Sequence, residues 1–157
     1  CVAGVKLPLL MNPYPPALAE MIALFESLTE AERRENLIDL AAASKSQEPR
    51  EGEQFDFSEV RKDAECTDTV GIFVRVDGDG RAHFAVTLGP QVQTLTRAMA
   101  TILCRGLDAT TPRQVLDVPQ DFVPRIVGEQ LVRLRSQTVY YVLSRMKEAM
   151  RKLAAEG

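Results

Sequence analysis

Two stretches of alternating apolar residues, separated by a short turn sequence, constrain the fold of this chain most strongly. Their apolar residues are Val70, Ile72, Val74, Val76 and then Ala82, Phe84, Val86, Leu88. A period of two is typical of a strand that buries one face. The segment Asp77-Gly78-Asp79-Gly80 between them holds the residue types that accept the backbone angles of a hairpin turn. The sequence therefore predicts a central antiparallel hairpin.

Segments with helical periodicity lie on both sides of this hairpin. They begin near Ala17, Thr29, Val92, Thr111, Phe122 and Leu131. The segment from Val92 has one apolar face, and in the long last segment Leu131, Leu134, Val139 and Met146 lie near one face. Thr29-x-x-Glu32 is a capping box, and Thr111-Pro112 is an N-cap followed by proline at the first helical position. Alternation at Phe55, Phe57 and Val60 adds a short strand before the hairpin. This order predicts an α+β fold, in which a small three-stranded antiparallel sheet is packed by helices.

Length and composition set the broad class of protein. The chain has 157 residues, of which 45% are apolar and 26% charged, as in an ordinary globular domain. Four prolines within residues 1–16 indicate an extended lead-in, and residues 17–157 are predicted to form a single domain. A net charge of −3 argues against a nucleic-acid partner. The apolar runs are too short to span a bilayer, so no membrane partner is expected.

The chain has three cysteines, at positions 1, 66 and 104. The cysteines are odd in number and far apart, with no Cys-x-x-Cys pair, so the sequence supports neither a zinc site nor a disulfide framework. It favours a reducing compartment, which would be the cytoplasm, or an organelle if an upstream transit peptide was removed. No signal peptide is visible.

Cys66 is the residue most suggestive of chemistry. It lies in a polar segment without periodicity, which predicts a loop before the strand that starts at Val70. Two interpretations are open: a solvent-facing thiol without a role, or a nucleophile that carries sulfur into another protein's active site. Asp63, Glu65 and Asp68 disfavour the reactive thiolate, so a cation from elsewhere would be needed to activate it.

The remaining candidates have less specific patterns. Cys104 follows two apolar residues in a helical segment and is interpreted as core packing. His83, the single histidine, is interpreted as an exposed structural residue, and no metal or nucleotide motif is present. Arg133 and Arg135 belong either to a solvated helix turn or to a cation that meets a loop anion or an acidic partner.

Several short motifs follow one another over roughly residues 18–153. They are the helical opening from Met21 to Leu28, Leu37-Ile38-Asp39-Leu40, Cys66 before a strand and Asp-Gly hairpin, Thr111-Pro112-Arg113-Gln114-Val115-Leu116, and the Gly128, Leu131 and Arg135 ending. In the order of these motifs the chain resembles the SufE family of cysteine desulfuration proteins. Family members commonly carry Gly-Cys-x-Ser-x-Val-Trp at the acceptor loop, whereas this chain has Glu65, Asp68 and Gly71 at the positions of the Gly, Ser and Trp.

The resemblance implies a fold shared with IscU- and NifU-type scaffolds and a role as a sulfur carrier. Cys66 would accept persulfide sulfur from a pyridoxal-phosphate-dependent, SufS-like cysteine desulfurase and pass it to a SufBCD-like iron–sulfur scaffold complex. Arg135 would position the loop or contact the partner. The chain itself would bind no cofactor and would act as an accessory protein rather than a stand-alone enzyme.

Two other functions stay open at the level of the sequence. The altered acceptor loop is compatible with a non-catalytic module that binds or regulates a desulfurase without carrying sulfur. A thiol peroxidase is a weaker possibility, since no activating Arg or His lies near Cys66 in the sequence and Cys104 would have to be close in space.

Overall fold

The computed structural model describes residues 13–156, so most of the predicted lead-in lies outside the described residues. This part of the chain forms three strands and six α-helices, with 3₁₀ turns at Ala43–Gln47 and Gln120–Phe122. In chain order the elements are α1 Pro16–Ser27, α2 Glu30–Ala42, β1 Phe57–Arg61, β2 Val70–Val76, β3 Ala82–Leu88, α3 Thr94–Gly106, α4 Pro112–Leu116, α5 Val123–Val127 and α6 Glu129–Glu156.

The three strands form one antiparallel sheet in the order β1-β2-β3. Phe57 lies opposite Val74 in the first pair, and Val76 lies opposite Ala82 beside the hairpin turn. Alternation along β2 places Ile72 and Val74 fully in the core, as the sequence predicts. The predicted hairpin and the predicted short first strand are therefore both confirmed.

The helices start where local hydrogen bonding satisfies their first backbone N–H groups. The Thr29 hydroxyl accepts from the backbone N–H of Glu32, and the Glu32 carboxylate accepts from the backbone N–H of Thr29. Thr111 and Gln114 form the same reciprocal pair at the start of α4. Both helix N-termini predicted from the sequence are confirmed. They were predictable because each capping box depends on two residues only three positions apart.

Helix α3 lies at the centre of the packing. The sequence predicts one apolar face for it, yet residues on every side are buried, including Thr96, Ala100 and Cys104. The hydroxyl of Thr101 donates to the carbonyl of Leu40 on α2 at 2.8 Å. Neighbouring helices and the sheet therefore enclose α3, and small residues and threonines allow their close approach.

The last helix corrects one prediction. The sequence pattern places Leu131 and Leu134 on the same buried face as Val139 and Met146, but Leu134 is 70% exposed and Leu131 also reaches the surface. The backbone leaves helical geometry at Arg135, with φ −134° and ψ 33°. The break changes the direction of the first turns, so the periodicity does not continue across it. Within residues 13–156, no helix combines the length and the apolar character needed to cross a bilayer.

Candidate functional site

Cys66 lies on the loop of residues 62–69, which connects the paired strands β1 and β2. The loop position agrees with the sequence prediction. The side chain, however, is only 7% exposed and belongs to the main cluster of buried residues. The interpretation as a solvent-facing thiol is therefore wrong. Burial of a small sulfur side chain here fills part of the core, although the flanking sequence is polar.

Hydrogen bonds to Asp63 hold the first half of the loop in place. Its backbone carbonyl accepts from the N–H of Cys66 at 3.1 Å, which closes a tight turn around the cysteine. Its carboxylate accepts from the Nε of Arg61 at 2.9 Å and from the hydroxyl of Tyr141 at 2.8 Å. Since Tyr141 belongs to α6, one residue connects the thiol's turn to the last strand residue of β1 and to the long helix.

The second half of the loop is tied to the segment that follows β3. The hydroxyl of Thr67 donates to the carbonyl of Gln91 at 2.6 Å, and the N–H of Gln91 donates to the Asp68 carboxylate at 2.8 Å. A β-carbon on Gly89 would lie 2.4 Å from that carboxylate, so glycine is needed for this close approach. Hydrogen bonds thus hold the loop on both sides of Cys66.

Two of the three carboxylates near Cys66 have strong partners. Burial alone would raise the pKa of Asp63, but hydrogen bonds from Arg61 and Tyr141 outweigh it and hold that pKa below its ordinary value. Backbone N–H groups of Gln91 and Thr69 lower the pKa of Asp68. Hydrogen-bond donors therefore stabilise the negative charge of both carboxylates. The sequence alone had indicated carboxylates without such partners around the thiol.

Helix α6 supplies a network that the sequence analysis did not identify. Arg145 is 3% exposed, and it donates to the hydroxyl of Tyr141 at 2.7 Å and to the carbonyl of Glu59 on β1 at 3.0 Å. Glu148 accepts from Arg61 at 2.7 Å. Tyr141, Arg145 and Glu148 follow one another at intervals of four and three residues, so they share one face of α6. That spacing is the signal in the sequence that could have indicated a polar face directed at the sheet.

An open cleft of about 660 Å³ lies beside this network. Its walls come from the start of the Cys66 loop and from α6, and they include Asp63, Glu65, Tyr140 and Tyr141. Solvent and partner groups can therefore reach the partly exposed side chains of Arg61 and Asp63, whereas Tyr141 and Arg145 are buried.

Arg135 lies at the break in α6 and is exposed. Its Nη1 donates to the side-chain oxygen of Gln93 at 3.2 Å. Gln93 is the N-cap residue of α3 and lies two residues after Gln91, the residue that holds the Cys66 loop. The structure thus places Arg135 on the segment next to the loop, in contact with that segment rather than with Cys66.

An apolar groove of about 480 Å³ begins at Arg135 and runs along α2. Ile38 is 53% exposed in its wall, and Leu131 also lines it. Arg34 and Arg135 place cations along this groove. An exposed apolar strip beside cations is typical of a surface that binds another protein.

Gly71 stands where members of the family that this chain resembles commonly have tryptophan. Side chains on the outer face of the sheet surround it. An added β-carbon would lie 2.2 Å from the Thr87 hydroxyl, 2.8 Å from Val60 and 2.9 Å from the Phe73 ring. Phe73 also packs against Phe55, with ring centroids 5.4 Å apart. Neighbouring side chains therefore cover the position where the family has an aromatic residue.

Two other residues considered from the sequence, Cys104 and His83, lie within the packed or hydrogen-bonded part of the fold. Cys104 is buried in α3, and its burial raises the pKa of its thiol to about 12, so the predicted packing role is confirmed. His83 is half-buried rather than exposed, because it lies between two carboxylates, with Nε2 2.7 Å from Asp77 and Nδ1 2.8 Å from Asp108. In the described part of the chain, no three His, Cys, Asp or Glu side chains are grouped so that they could hold a metal ion.

These features define an α+β domain that presents a cysteine on the loop between its first two strands. The sequence profile of the SufE family, described as an Fe-S metabolism associated domain, matches residues 19–150, which is most of the chain. The chain therefore belongs to the SufE family, and its domain is associated with iron–sulfur metabolism. No curated protein matches the chain significantly.

Solved structures from two bacteria are similar in fold. The solution structure of a hypothetical protein from Thermus thermophilus has a TM-score of 0.71 at 27% identity, over 90% of this chain and 98% of that one. The N-terminal part of a nitrogen-fixing NifU-like protein from Brucella abortus has a TM-score of 0.52 at 14% identity, over 78% and 94% of the two chains. The second likeness concerns the fold alone. The predicted fold class, an α+β domain similar in fold to NifU-type domains, is confirmed.

Proposed function

We propose that this protein is a sulfur carrier that takes persulfide sulfur from a cysteine desulfurase onto Cys66. In the exchange, the Cys66 thiolate attacks the outer sulfur of the donor's persulfide, and the donor's sulfur–sulfur bond breaks. A new persulfide forms on Cys66, and the donor leaves as a thiolate that takes up the proton lost by Cys66. The reaction needs no external oxidant or reductant.

The observation that carries this proposal is the position of Cys66 within a SufE-family domain. The family match covers the loop, and the loop places a free thiol between two strand ends, next to an open cleft. Cys104 is a poor alternative, because it is buried within α3 and its thiol has a raised pKa. The exchange belongs in a reducing compartment such as the cytoplasm, since an oxidising one would consume the free thiol.

The donor is inferred to be a pyridoxal-phosphate-dependent, SufS-like desulfurase, and the onward acceptor a SufBCD-like scaffold complex. Because Cys66 is 7% exposed, docking must rearrange the loop before the sulfur atoms can meet. The groove beside Arg135 supports a partner surface with apolar and acidic groups, since Ile38 and Leu131 are exposed there next to arginine side chains.

The direct test is to mix the protein with a desulfurase and cysteine and to measure the intact mass under non-reducing conditions. We expect one added sulfur atom on the wild type and on Cys104→Ala, and none at this position on Cys66→Ser. Cys66→Ser should also keep binding but lose the stimulation of cysteine turnover. Stimulation by Cys66→Ser equal to that of the wild type would rule out the carrier role.

Arg135 is tested separately as a residue of the partner surface. Arg135→Ala should raise the concentration of carrier needed for half-maximal stimulation, while alkylation of Cys66 in the free protein stays unchanged. Arg133→Ala is the matched control, because Arg133 is also exposed on the same helix turn. Equal concentration dependence for both variants and the wild type would remove Arg135 from the interface.

The burial of Cys66 also favours one second candidate, a module that binds a desulfurase without carrying sulfur. The two functions differ in their response to blocking the thiol. Alkylated protein that still stimulates cysteine turnover would establish the binding module, whereas loss of stimulation with retained binding would support the carrier.

A further inference from the structure

The side chains that hold the Cys66 loop come from both a strand and a distant helix. Asp63 is three residues before Cys66, and Tyr141 is 78 residues further along the chain, on α6. Their hydrogen bond, at 2.8 Å, connects the start of the loop directly to this helix. Arg61 on β1 makes a second connection at this end of the loop, because it donates to both Asp63 and Glu148.

The tyrosine is itself fixed in place. Its hydroxyl accepts from Nη1 of Arg145 at 2.7 Å, so its proton is directed to the Asp63 carboxylate. Arg145 is almost fully buried and is anchored on the carbonyl of Glu59. Burial and the bond to Asp63 raise the pKa of Tyr141 to about 12, so the phenol stays protonated and keeps donating.

The turn that buries the thiol depends on the same aspartate. The carbonyl of Asp63 accepts from the N–H of Cys66, while its carboxylate accepts from the hydroxyl of Tyr141. Movement of Cys66 towards solvent therefore disturbs a residue whose side chain is held from α6. Asp63 and Tyr141 both line the open cleft, and the Asp63 side chain is 25% exposed there, so a docking partner can reach the bond from the side of the carboxylate.

We propose that Tyr141 and Asp63 form a latch that positions the acceptor loop with Cys66 inward, and that the latch must open before the thiol can accept sulfur. Both are positioning residues, since neither side chain takes part in the exchange at sulfur. The proposal rests on the proposed carrier function for its purpose, but the latch itself is a property of the free protein.

The test is the rate of alkylation of each cysteine in the free, folded protein, measured with iodoacetamide and peptide mass spectrometry. Alkylation samples the open loop, so its rate follows the open fraction when opening is fast. Tyr141→Phe keeps the ring and removes the hydroxyl. We expect Cys66 to react about tenfold faster, the factor that corresponds to losing one hydrogen bond to a charged group.

Two internal controls separate the latch from a general loss of structure. Tyr140→Phe changes a neighbouring tyrosine that lines the same cleft, and it should leave the Cys66 rate unchanged. Cys104 is buried in α3 and reports global unfolding, so its rate gives the contribution of global unfolding in each variant. Loss of the hydrogen bond raises the unfolded fraction as well as the open fraction, so both rates are also followed in low urea, to which local opening is insensitive and global unfolding is not. An unchanged Cys66 rate in Tyr141→Phe, or a Cys66 rate that equals the Cys104 rate and rises with urea as global unfolding does, would overturn the latch.

A second variant serves if Tyr141→Phe does not fold. Asp63→Asn keeps the shape of the side chain but loses the charge that binds Arg61 and Tyr141, and it should also speed alkylation of Cys66. Because loss of the carboxylate also favours the Cys66 thiolate, this variant and the wild type are compared at a pH high enough that the thiol is ionised in both. A Cys66 rate equal to that of the wild type in this variant would count against the latch.

The same variants give a readout with the desulfurase. Opening the latch in advance removes part of the cost of docking, so Tyr141→Phe should lower the concentration needed for half-maximal stimulation without raising the maximal rate. These tests fail independently of the carrier function. If Cys66→Ser still stimulated fully, the carrier role would be lost, while the alkylation result in the free protein would still decide whether the latch exists.

Discussion

At the scale of single residues, the clearest departure from the family pattern has a packing explanation. Gly71 stands where the family commonly has tryptophan, and the space above it is filled by Val60, Phe73 and Thr87. A side chain at this position would have to displace three neighbours in the centre of the sheet. Glycine here weakens the strand intrinsically, but it allows the Phe73 ring to cover the outer face.

This packing predicts that Gly71→Ala destabilises the protein by about 1–3 kcal/mol, the usual cost of overpacking. The free energy of unfolding measured in urea checks it. Gly78→Ala is the control, because nothing lies within 4 Å of a β-carbon at that turn position and its stability should stay close to that of the wild type. Equal stability of the two variants would show that the outer face accommodates a side chain.

At the scale of secondary-structure elements, His83 connects the β2–β3 hairpin to the segment after α3. Its two ring nitrogens face Asp77 in the turn and Asp108 beyond the helix, which is the arrangement of a protonated imidazole donating on both sides. The hydrogen bond to Asp77 raises the pKa of His83, and burial and Arg75 on the paired strand oppose this shift. The same contact lowers the pKa of Asp77 to about 2.

The raised pKa of His83 makes this contribution to stability depend on pH in a definite direction. The contribution is fully present below about pH 6.5, where the unfolded histidine is also protonated, and it is lost as pH rises through the higher folded pKa. We therefore expect the difference in unfolding free energy between wild type and His83→Gln to shrink from about pH 6 to pH 9.

Comparing the two proteins at each pH cancels the titration of groups that they share. Urea unfolding at matched ionic strength gives the measurement. A difference that stays constant across this range would mean that the imidazole is not held protonated between the carboxylates.

At the scale of the whole molecule, the buried guanidinium of Arg145 joins the long helix to the edge of the sheet. It contacts the backbone of β1 through Glu59 and the acceptor loop through Tyr141. Arg145 and Glu59 are 86 residues apart in the sequence, and Tyr141 and Asp63 are 78 residues apart. The position of the loop therefore depends on the packing of α6 against the sheet.

Removal of this side chain should leave its partners without a donor in a poorly solvated place. We expect Arg145→Ala to cost about 2–4 kcal/mol of unfolding free energy. Arg151→Ala, on the same helix and lining the same cleft from an exposed position, should change stability by less than about 0.5 kcal/mol. Similar losses for both variants would contradict a specific role for the buried arginine.

The sequence by itself determined the elements of this protein and the place of its thiol along the chain. Alternation predicted the hairpin, capping boxes predicted the starts of α2 and α4, and the polar segment before Val70 predicted a loop at Cys66. These features depend on residues within a few positions of one another, so local patterns suffice to reveal them.

Only the tertiary structure decided the direction of Cys66, the partners of Asp63 and the exposure of Leu134. The Asp63 carboxylate beside Cys66 accepts from Tyr141, and Arg135 donates to Gln93, and in each pair the two residues lie far apart in the sequence. Packing between distant segments sets such contacts, and a single chain's local periodicity contains no record of them. The physical reason is that burial and hydrogen bonding are completed by whichever side chains the fold brings together.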